Sequence, residues 1–467
     1  EDTDQNRYVN GAEAYIAKTL DWLGINPDES PNNPGAFGPY RQSERKESYL
    51  QHAQQLVKTG NAYLAFDTTD ALQGLREAAE QEGGRFIYNW ENRNALKNSL
   101  SLSPAEVDAL IESNTPYVIR FKSYSIEQEK TLRMTDKIRG EVTVDASLLD
   151  DKIIVKQDGM PTYHLANVVD DHLMEISHVI RGEEWLPSMA LHVLLYEAFG
   201  WKAPVFAHVP LILKPSGKGK LSKRDGDKLG FPVFPLEYTN EESGEVSLGY
   251  RECGYFPDAF INMLSLLGWN PGTEQELFVL EDLIVAFDLS RVSKSGAKFS
   301  LDKTKWFNQQ YLQKKTNAHL AQLYLTILKN KKIQPLPSKD FIKTVVSLIK
   351  ERAVFVKDFW NLSSYFFERP IEYNEKAVKK QWKEDSGILL NELITVFVSI
   401  NNFSSESIEK TTKEWISSKE IGFGKVMQPL RLAIVGEMKG PHLFDIIHMI
   451  GKEEAILRMK IIIKKLS

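Results

Sequence analysis

The chain has 467 residues, more than one hydrophobic core supports, so several domains of roughly 100–150 residues each are expected. Hydrophobic residues make up 42% and charged residues 26%, the balance of a soluble globular protein, and no apolar run reaches the roughly 20 residues that a membrane-spanning helix needs. A single cysteine, Cys253, excludes an intrachain disulfide and a thiolate zinc cluster, and it fits a reducing, cytosolic setting.

The net charge of -5 is unevenly spread. Residues 301–467 hold 28 Lys and Arg against 18 Asp and Glu, whereas residues 1–300 hold 30 against 45. A solvated helical surface accounts for the basic part, and so does a polyanionic partner gripped by it. The sequence opens on Glu1-Asp2-Thr3-Asp4 without a methionine, and is expected to be the remainder of something longer.

Along the chain, Ala14, Ile16, Leu20, Trp22 and Leu23 recur at helical spacing and predict a helix over 11–24, stopped by Gly24. A Pro, Gly and Asn-rich loop runs from Asn26 to Pro39, and a second helix is predicted over 43–58, opened by Ser43. Residues 63–165 mix short helices with β-rich pieces at Tyr117–Lys122 and Lys152–Val155, which reads as an insertion with a small fold of its own. Residues 176–181 read as a strand, 186–199 as a helix and Pro204–Leu213 as a second strand, a parallel α/β unit. From Asp302 onward Leu320, Leu323, Leu325, Ile327, Phe341, Val345, Val346 and Ile349 follow a helical period.

Three segments carry chemistry. Lys220-Leu221-Ser222-Lys223-Arg224, after Lys214 and Lys218, concentrates positive charge on one loop. Such a loop repels itself unless an anion offsets it, and stabilising charge on a triphosphate as pyrophosphate leaves is one use; a plain exposed basic loop is the other reading. In the run Met160–His172, Tyr163 and Asn167 would share one face of a helix and address a small polar ligand. The Asp170-Asp171-His172 triplet raises metal binding, against which stands the lack of a further ligand cluster nearby. Finally, Val179–Leu186 ends a strand in Arg181-Gly182 and opens a helix with Glu183 and Glu184, at the carboxyl edge where open α/β sheets bind ligands. Arg181 suits a carboxylate, in a ligand or in a structural salt bridge.

These pieces, in this order, resemble class I aminoacyl-tRNA synthetases, specifically the glutamyl enzymes of bacterial type. The resemblance spans essentially the whole chain: Glu1–Asp4, Gly38–Arg45, Tyr163–His172, Val179–Leu186, Lys220–Arg224, Trp306-Phe307-Asn308 and Gln428-Pro429-Leu430-Arg431. It implies an α/β multidomain protein, with a class I Rossmann-type catalytic domain at 1–62 and 163–217 and an α+β insertion at 63–162 that binds the acceptor end. It further implies a stem-contact domain with the basic ATP loop at 218–316, and all-α anticodon-binding domains at 317–376 and 377–467.

By the same resemblance, Glu1, Tyr163, Asn167 and Arg181 form the glutamate site, and Glu184, Trp185, Leu211 and Ile212 contact adenosine. Lys220, Ser222, Lys223 and Arg224 form the catalytic loop, with Lys220 and Lys223 on the phosphates. Arg352 and Arg431 match the family's anticodon-contacting arginines, although each also reads as an ordinary surface arginine. The implied reaction joins L-glutamate to ATP, with accompanying Mg²⁺, as glutamyl-adenylate, then passes the acyl group to tRNA(Glu). A cytoplasmic monomer, without structural zinc and without DNA or membrane partners, completes the expectation.

Two departures stand out. The family's histidine-rich ATP turn lies upstream of Glu1, so the first strand and helix of the catalytic fold are expected to be missing from this sequence; the His192 segment follows the second half-site and does not replace them. Phe231–Gly254 is also longer and more acidic than the family's usual connection. Three rivals remain. A shortened paralogue that glutamylates a tRNA base is opposed by the helical C-terminal part. A glutaminyl enzyme is opposed by the same helical period, where a β-barrel would stand. A catalytically inactive tRNA-binding relative is opposed by the retained ligand-addressing side chains.

Overall fold

The computed structural model of the chain describes residues 2–3, 9–240 and 243–466, without the side chains of Lys223 and Asp227. The chain forms two compact units, Glu1–Val233 with Leu264–Ser300, and Phe234–Met263 with Leu301–Ser467.

In the first unit, helix α1 (Ala12–Leu23) ends at Gly24, whose φ of 68° is a left-handed cap open to glycine at little cost. Helix α2 (Lys46–Lys58) begins three residues after the predicted start. Ser43 sits instead in a 3-10 turn, Gln42–Arg45, where its backbone N–H donates to Asp2 at 2.9 Å. Strands β1 (Ala62–Ala65), β2 (Val118–Phe121) and β5 (Ile153–Val155) make a small antiparallel sheet, joined by helices α3 (Thr69–Gln81) and α4 (Pro104–Glu112). Helix α4 starts where the pattern allows it: Ser103 and Glu106 form a capping box, with Pro104 at the first helical position.

The hairpin β3 (Thr131–Asp136) and β4 (Gly140–Asp145) leaves this small sheet and joins β6 (His178–Gly182) and β7 (Val205–Val209) in the order β4-β3-β7-β6. Strands β6 and β7 are parallel, as the strand-helix-strand pattern predicts, and β3 meets β7 through Asp136 and Phe206. Helices α5 (Tyr163–Leu173) and α6 (Met189–Phe199) supply the core: Leu165, Ala166, Val168, Val169, Leu195 and Tyr196 are all buried. Pro187 holds the start of the predicted 186–199 helix as a 3-10 turn. Pro210, which has no N–H to give a ladder, divides the predicted second strand into β7 and β8 (Ile212–Leu213). Helix α7 (Lys223–Leu229) follows the basic loop.

The segment Phe234–Met263 belongs to the second unit and carries the hairpin of β9 (Tyr238–Thr239) and β10 (Val246–Ser247), then helices α8 (Tyr250–Cys253) and α9 (Pro257–Ser265). The acidic stretch 231–254 therefore holds this short hairpin. The chain returns to the first unit with α10 (Leu280–Ala286) and β11 (Ala297–Lys298), which pairs in parallel with β8. Helices α11 (Leu301–Lys314) to α20 (Lys452–Leu466) then build the second unit around its own apolar core, in which Leu320, Val345, Val346 and Ile349 are buried at the predicted helical spacing.

Candidate active site

Strand β6 delivers Arg181 at its carboxyl end, and the first turn of α5 delivers Tyr163 and, four residues on, Asn167. The structure brings the three together. Arg181 Nη1 donates to the Tyr163 hydroxyl at 3.0 Å and faces His192 Nδ1 at 3.3 Å, while its Nε–H donates to His208 Nε2 at 3.0 Å. Nη2 is buried and has no partner among the described residues. A guanidinium keeps its charge, so this nitrogen holds donors turned to whatever enters the site. Asn167 Nδ2 donates to Asp171 at 2.9 Å, which leaves the amide oxygen as the end facing elsewhere.

Behind Arg181 lies a chain of imidazoles. His208 and Asp136 are fully buried, and His208 Nδ1 lies 2.7 Å from the Asp136 carboxylate. Burial works against the Asp136 charge, but backbone N–H groups of Arg139 and Ile138 and the His208 ring overcome it and hold its pKa low. Burial pushes the His208 pKa down although Asp136 opposes it, and it pushes His192 well below the ordinary value. His164, 3.1 Å from His192, is pushed down to about 4, again chiefly by burial. All three rings are therefore neutral beside the arginine. Asp171 is pushed up to about 6 by burial, with the neighbouring Asp170 charge adding to it.

The predicted adenosine residues line the adjoining edge. Trp185 is 40% exposed, and its ring centre lies 4.7 Å from that of Tyr163. Glu184 pairs with Lys220 at 2.6 Å, and that bond keeps the Glu184 pKa below its usual value. Glu183, given no contact role from sequence, accepts the Leu211 N–H at 2.9 Å and an Arg139 ion pair at 2.8 Å. Ile212 accepts the Leu221 N–H at 2.8 Å, which closes the basic loop onto β8. Ser222 caps α7 reciprocally with Asp225, whose other oxygen takes Lys214 at 3.1 Å; Arg224 is exposed. Glu1 and the Lys223 side chain lie outside the described residues.

The Asp170-Asp171-His172 triplet is used structurally. Asp170 accepts Arg45 at 2.8 Å, Gln42 at 3.0 Å and Tyr49 at 2.8 Å, whereas the His172 ring stacks on Trp201 at 3.8 Å. In the insertion, two adjoining clefts of 490 and 440 Å³ share Leu72, Arg76 and Arg120; one adds Lys156 with Asp67 and Asp158, the other Arg85 and Lys152 with Asp150, so that cations outnumber carboxylates in both. Composition alone did not mark this basic surface.

In the second unit, Arg352 is exposed at the end of a 3-10 turn. Arg431, on α18 (Phe423–Val435), is half-buried and donates to the Pro441 carbonyl from both terminal nitrogens, each at 3.1 Å. Burial lowers the Arg431 pKa, while Tyr365 raises it and Arg352 lowers it, so the two arginines share one neighbourhood.

Sequence reasoning missed Asp136 and His208. The one available signal was a histidine in the apolar run Val205–Val209. Its partner lies 72 residues away in the piece read as an insertion.

Residues 1–306 match the catalytic domain of tRNA synthetases class I (E and Q), and residues 316–463 match the anticodon binding domain family. Fold and matches together define a class I aminoacyl-tRNA synthetase, a ligase. The glutamate–tRNA ligases of Christiangramia forsetii and Flavobacterium johnsoniae are each 58% identical to the chain, over 98% of it and 90% of their own lengths. The crystal structure of a glutamate tRNA ligase from Elizabethkingia meningosepticum in complex with its amino acid superposes with a TM-score of 0.96 at 51% identity, covering 100% of this chain and 91% of that one. The chain belongs to the glutamate–tRNA ligase family.

Proposed function

We propose that this glutamate–tRNA ligase uses Arg181 as its carboxylate receptor: a glutamate carboxylate oxygen attacks the α-phosphorus of ATP and expels pyrophosphate, and the resulting glutamyl-adenylate passes its acyl group to a terminal ribose hydroxyl of tRNA(Glu), releasing AMP. The observation that carries the reading is Arg181 Nη2, buried and unpartnered among the described residues at the carboxyl end of β6. Tyr163 and Asn167 orient the substrate, the Asn167 oxygen being the end left by its bond to Asp171. Glu1 meets the substrate amino group. Glu184, Trp185, Leu211 and Ile212 receive adenosine, and Lys220 and Lys223 take the phosphates with Arg224, on a loop that Ser222 anchors.

Mg²⁺ arrives with ATP as part of the substrate. Little covalent work falls to the protein, so positioning and charge stabilisation dominate. The basic clefts of the insertion suit the acceptor end, and Arg352 and Arg431 the anticodon. Among the described residues no helix is long and apolar enough to cross a membrane. A cytoplasmic monomer divided into the five domains set out above belongs to the same proposal. The inactive relative is disfavoured because the ligand-addressing side chains converge.

The test is ATP–pyrophosphate exchange by the full-length enzyme, with and without tRNA, with glutamine as control. Glutamate-specific, tRNA-dependent exchange is expected. Salt-sensitive tRNA binding without exchange would return the inactive reading.

A further inference from the structure

The guanidinium of Arg181 is held from behind by a buried pair that the reaction itself does not require. Asp136 accepts four donors: the backbone N–H groups of Ile138 at 2.9 Å, Arg139 at 2.8 Å and His208 at 3.1 Å, and the His208 ring at 2.7 Å. A carboxylate that accepts only donors obliges His208 Nδ1 to carry its proton. Nε2 is then a bare lone pair, and it is the atom that receives the Arg181 Nε–H at 3.0 Å. The opposite tautomer, or an imidazolium, would set N–H against N–H there. A second imidazole acts from the other side. Arginine only donates, so His192 Nδ1 accepts and its Nε2–H turns to His164 Nδ1 at 3.1 Å.

We propose that His208 is a positioning residue for glutamate recognition, held by Asp136 as the Nδ1–H tautomer so that its Nε2 locks the Arg181 Nε–H and leaves Nη2 as the open end of the guanidinium. The inference rests on the reading of Arg181 as the glutamate receptor. With Nε taken by His208 and Nη1 by Tyr163 and His192, the side-on bidentate grip through Nε and Nη2 is closed. The substrate carboxylate is met end-on by Nη2, in one orientation. The relay also ties the hairpin β3–β4 to the substrate strand, because Asp136 ends β3, His208 lies on β7 and Arg181 on β6.

The experiment compares His208→Asn, His208→Gln and Arg181→Lys with the unaltered full-length enzyme in tRNA-dependent exchange, reading the KM for glutamate, the KM for ATP, kcat and Tm. Asparagine places its amide near Nδ1 and keeps the Asp136 contact but loses the acceptor toward Arg181. Glutamine reaches the Nε2 position and restores that acceptor. Loss of one hydrogen bond to a charged group predicts a rise of about 10- to 100-fold in the glutamate KM for His208→Asn, an unchanged ATP KM, and recovery to within a few-fold for His208→Gln.

If both His208 variants lower Tm and kcat alike with the glutamate KM unmoved, while Arg181→Lys raises it, His208 merely fills the core and the proposal fails. If Arg181→Lys leaves the glutamate KM unmoved, the reading of Arg181 as receptor fails instead. The tautomer is checked in the unaltered protein by ¹⁵N NMR of the imidazole, which also serves should His208→Asn not fold. A protonated Nδ1 and a bare Nε2 are expected, and a protonated Nε2 overturns the relay.

Discussion

The two cationic parts of the first unit are built in opposite ways. Around Arg181, Asp136 and His208 are completely buried and the arginine's Nε and Nη1 each have a set partner. Around Lys220, the side chains of Lys220 and Glu184 are 60% and 40% exposed, and Lys220 and Lys214 pair with the nearby carboxylates of Glu184 and Asp225. Under the proposed function, a fixed guanidinium backed by neutral rings would receive the glutamate carboxylate without reorganising. On the same proposal, the triphosphate at the loop enters, changes charge and partly leaves. Exposed pairs worth about 0–1 kcal/mol can be exchanged for phosphate contacts at little cost. Under that same proposal, rigidity belongs to the part that would select the substrate, and exchangeable pairing to the part that would handle the leaving group.

The largest test breaks the rigid side. Asp136→Ala leaves the Ile138, Arg139 and His208 N–H groups and the His208 ring without their buried acceptor. A loss of about 3–5 kcal/mol in unfolding free energy is expected, read by urea denaturation. A loss under about 1 kcal/mol would mean that the network is not the rigid frame argued here. The opposite signature is expected on the exposed side. Lys220→Ala should change stability by less than about 1 kcal/mol, yet lower kcat for adenylate formation by about 10²-fold, with the glutamate KM unchanged. A raised glutamate KM in Lys220→Ala would erase the distinction between the two parts.

How much of this was legible depended on whether the determinant was local. Gly24 stops α1 because a left-handed residue suffices to end a helix, and the β6–α6–β7 order followed from periodicity. Pro187 and Pro210 were visible in the sequence, but their effect on an element's bounds depends on which N–H groups the fold needs. Asp136 and His208 were invisible as a pair, since nothing local links positions that only the sheet order brings together. Arg431 shows the same limit from the other direction. It stood out as a surface or anticodon arginine, yet part of its donor capacity holds the Pro441 carbonyl, and no sequence pattern shows which carbonyl turns inward.

The smallest effect, and the most discriminating, is the dependence of stability on pH between about 4 and 6.5. His164, lowered to about 4, and the lowered His192 and His208 bind fewer protons folded than unfolded, where an imidazole titrates near 6.5. Their contribution is fully present above about 6.5 and is lost as pH falls. Asp171, raised to about 6, has the opposite sign: between about 3.9 and 6 the folded form binds the extra proton, so its contribution is lost as pH rises. The unaltered protein therefore masks part of its own acid sensitivity. Asp171→Asn removes the opposing group and should steepen the loss on acidification, by at most about 1.4 kcal/mol per pH unit. His164→Gln should flatten it, and Lys220→Ala should alter it only toward the acidic end, where Glu184 loses the partner that keeps its pKa below the usual value. Urea denaturation at half-unit steps from pH 4.5 to 6.5 reads all three. An unchanged slope in Asp171→Asn would show that burial does not hold a proton on that carboxyl, and the contrast between the buried and exposed parts would then lack its electrostatic half.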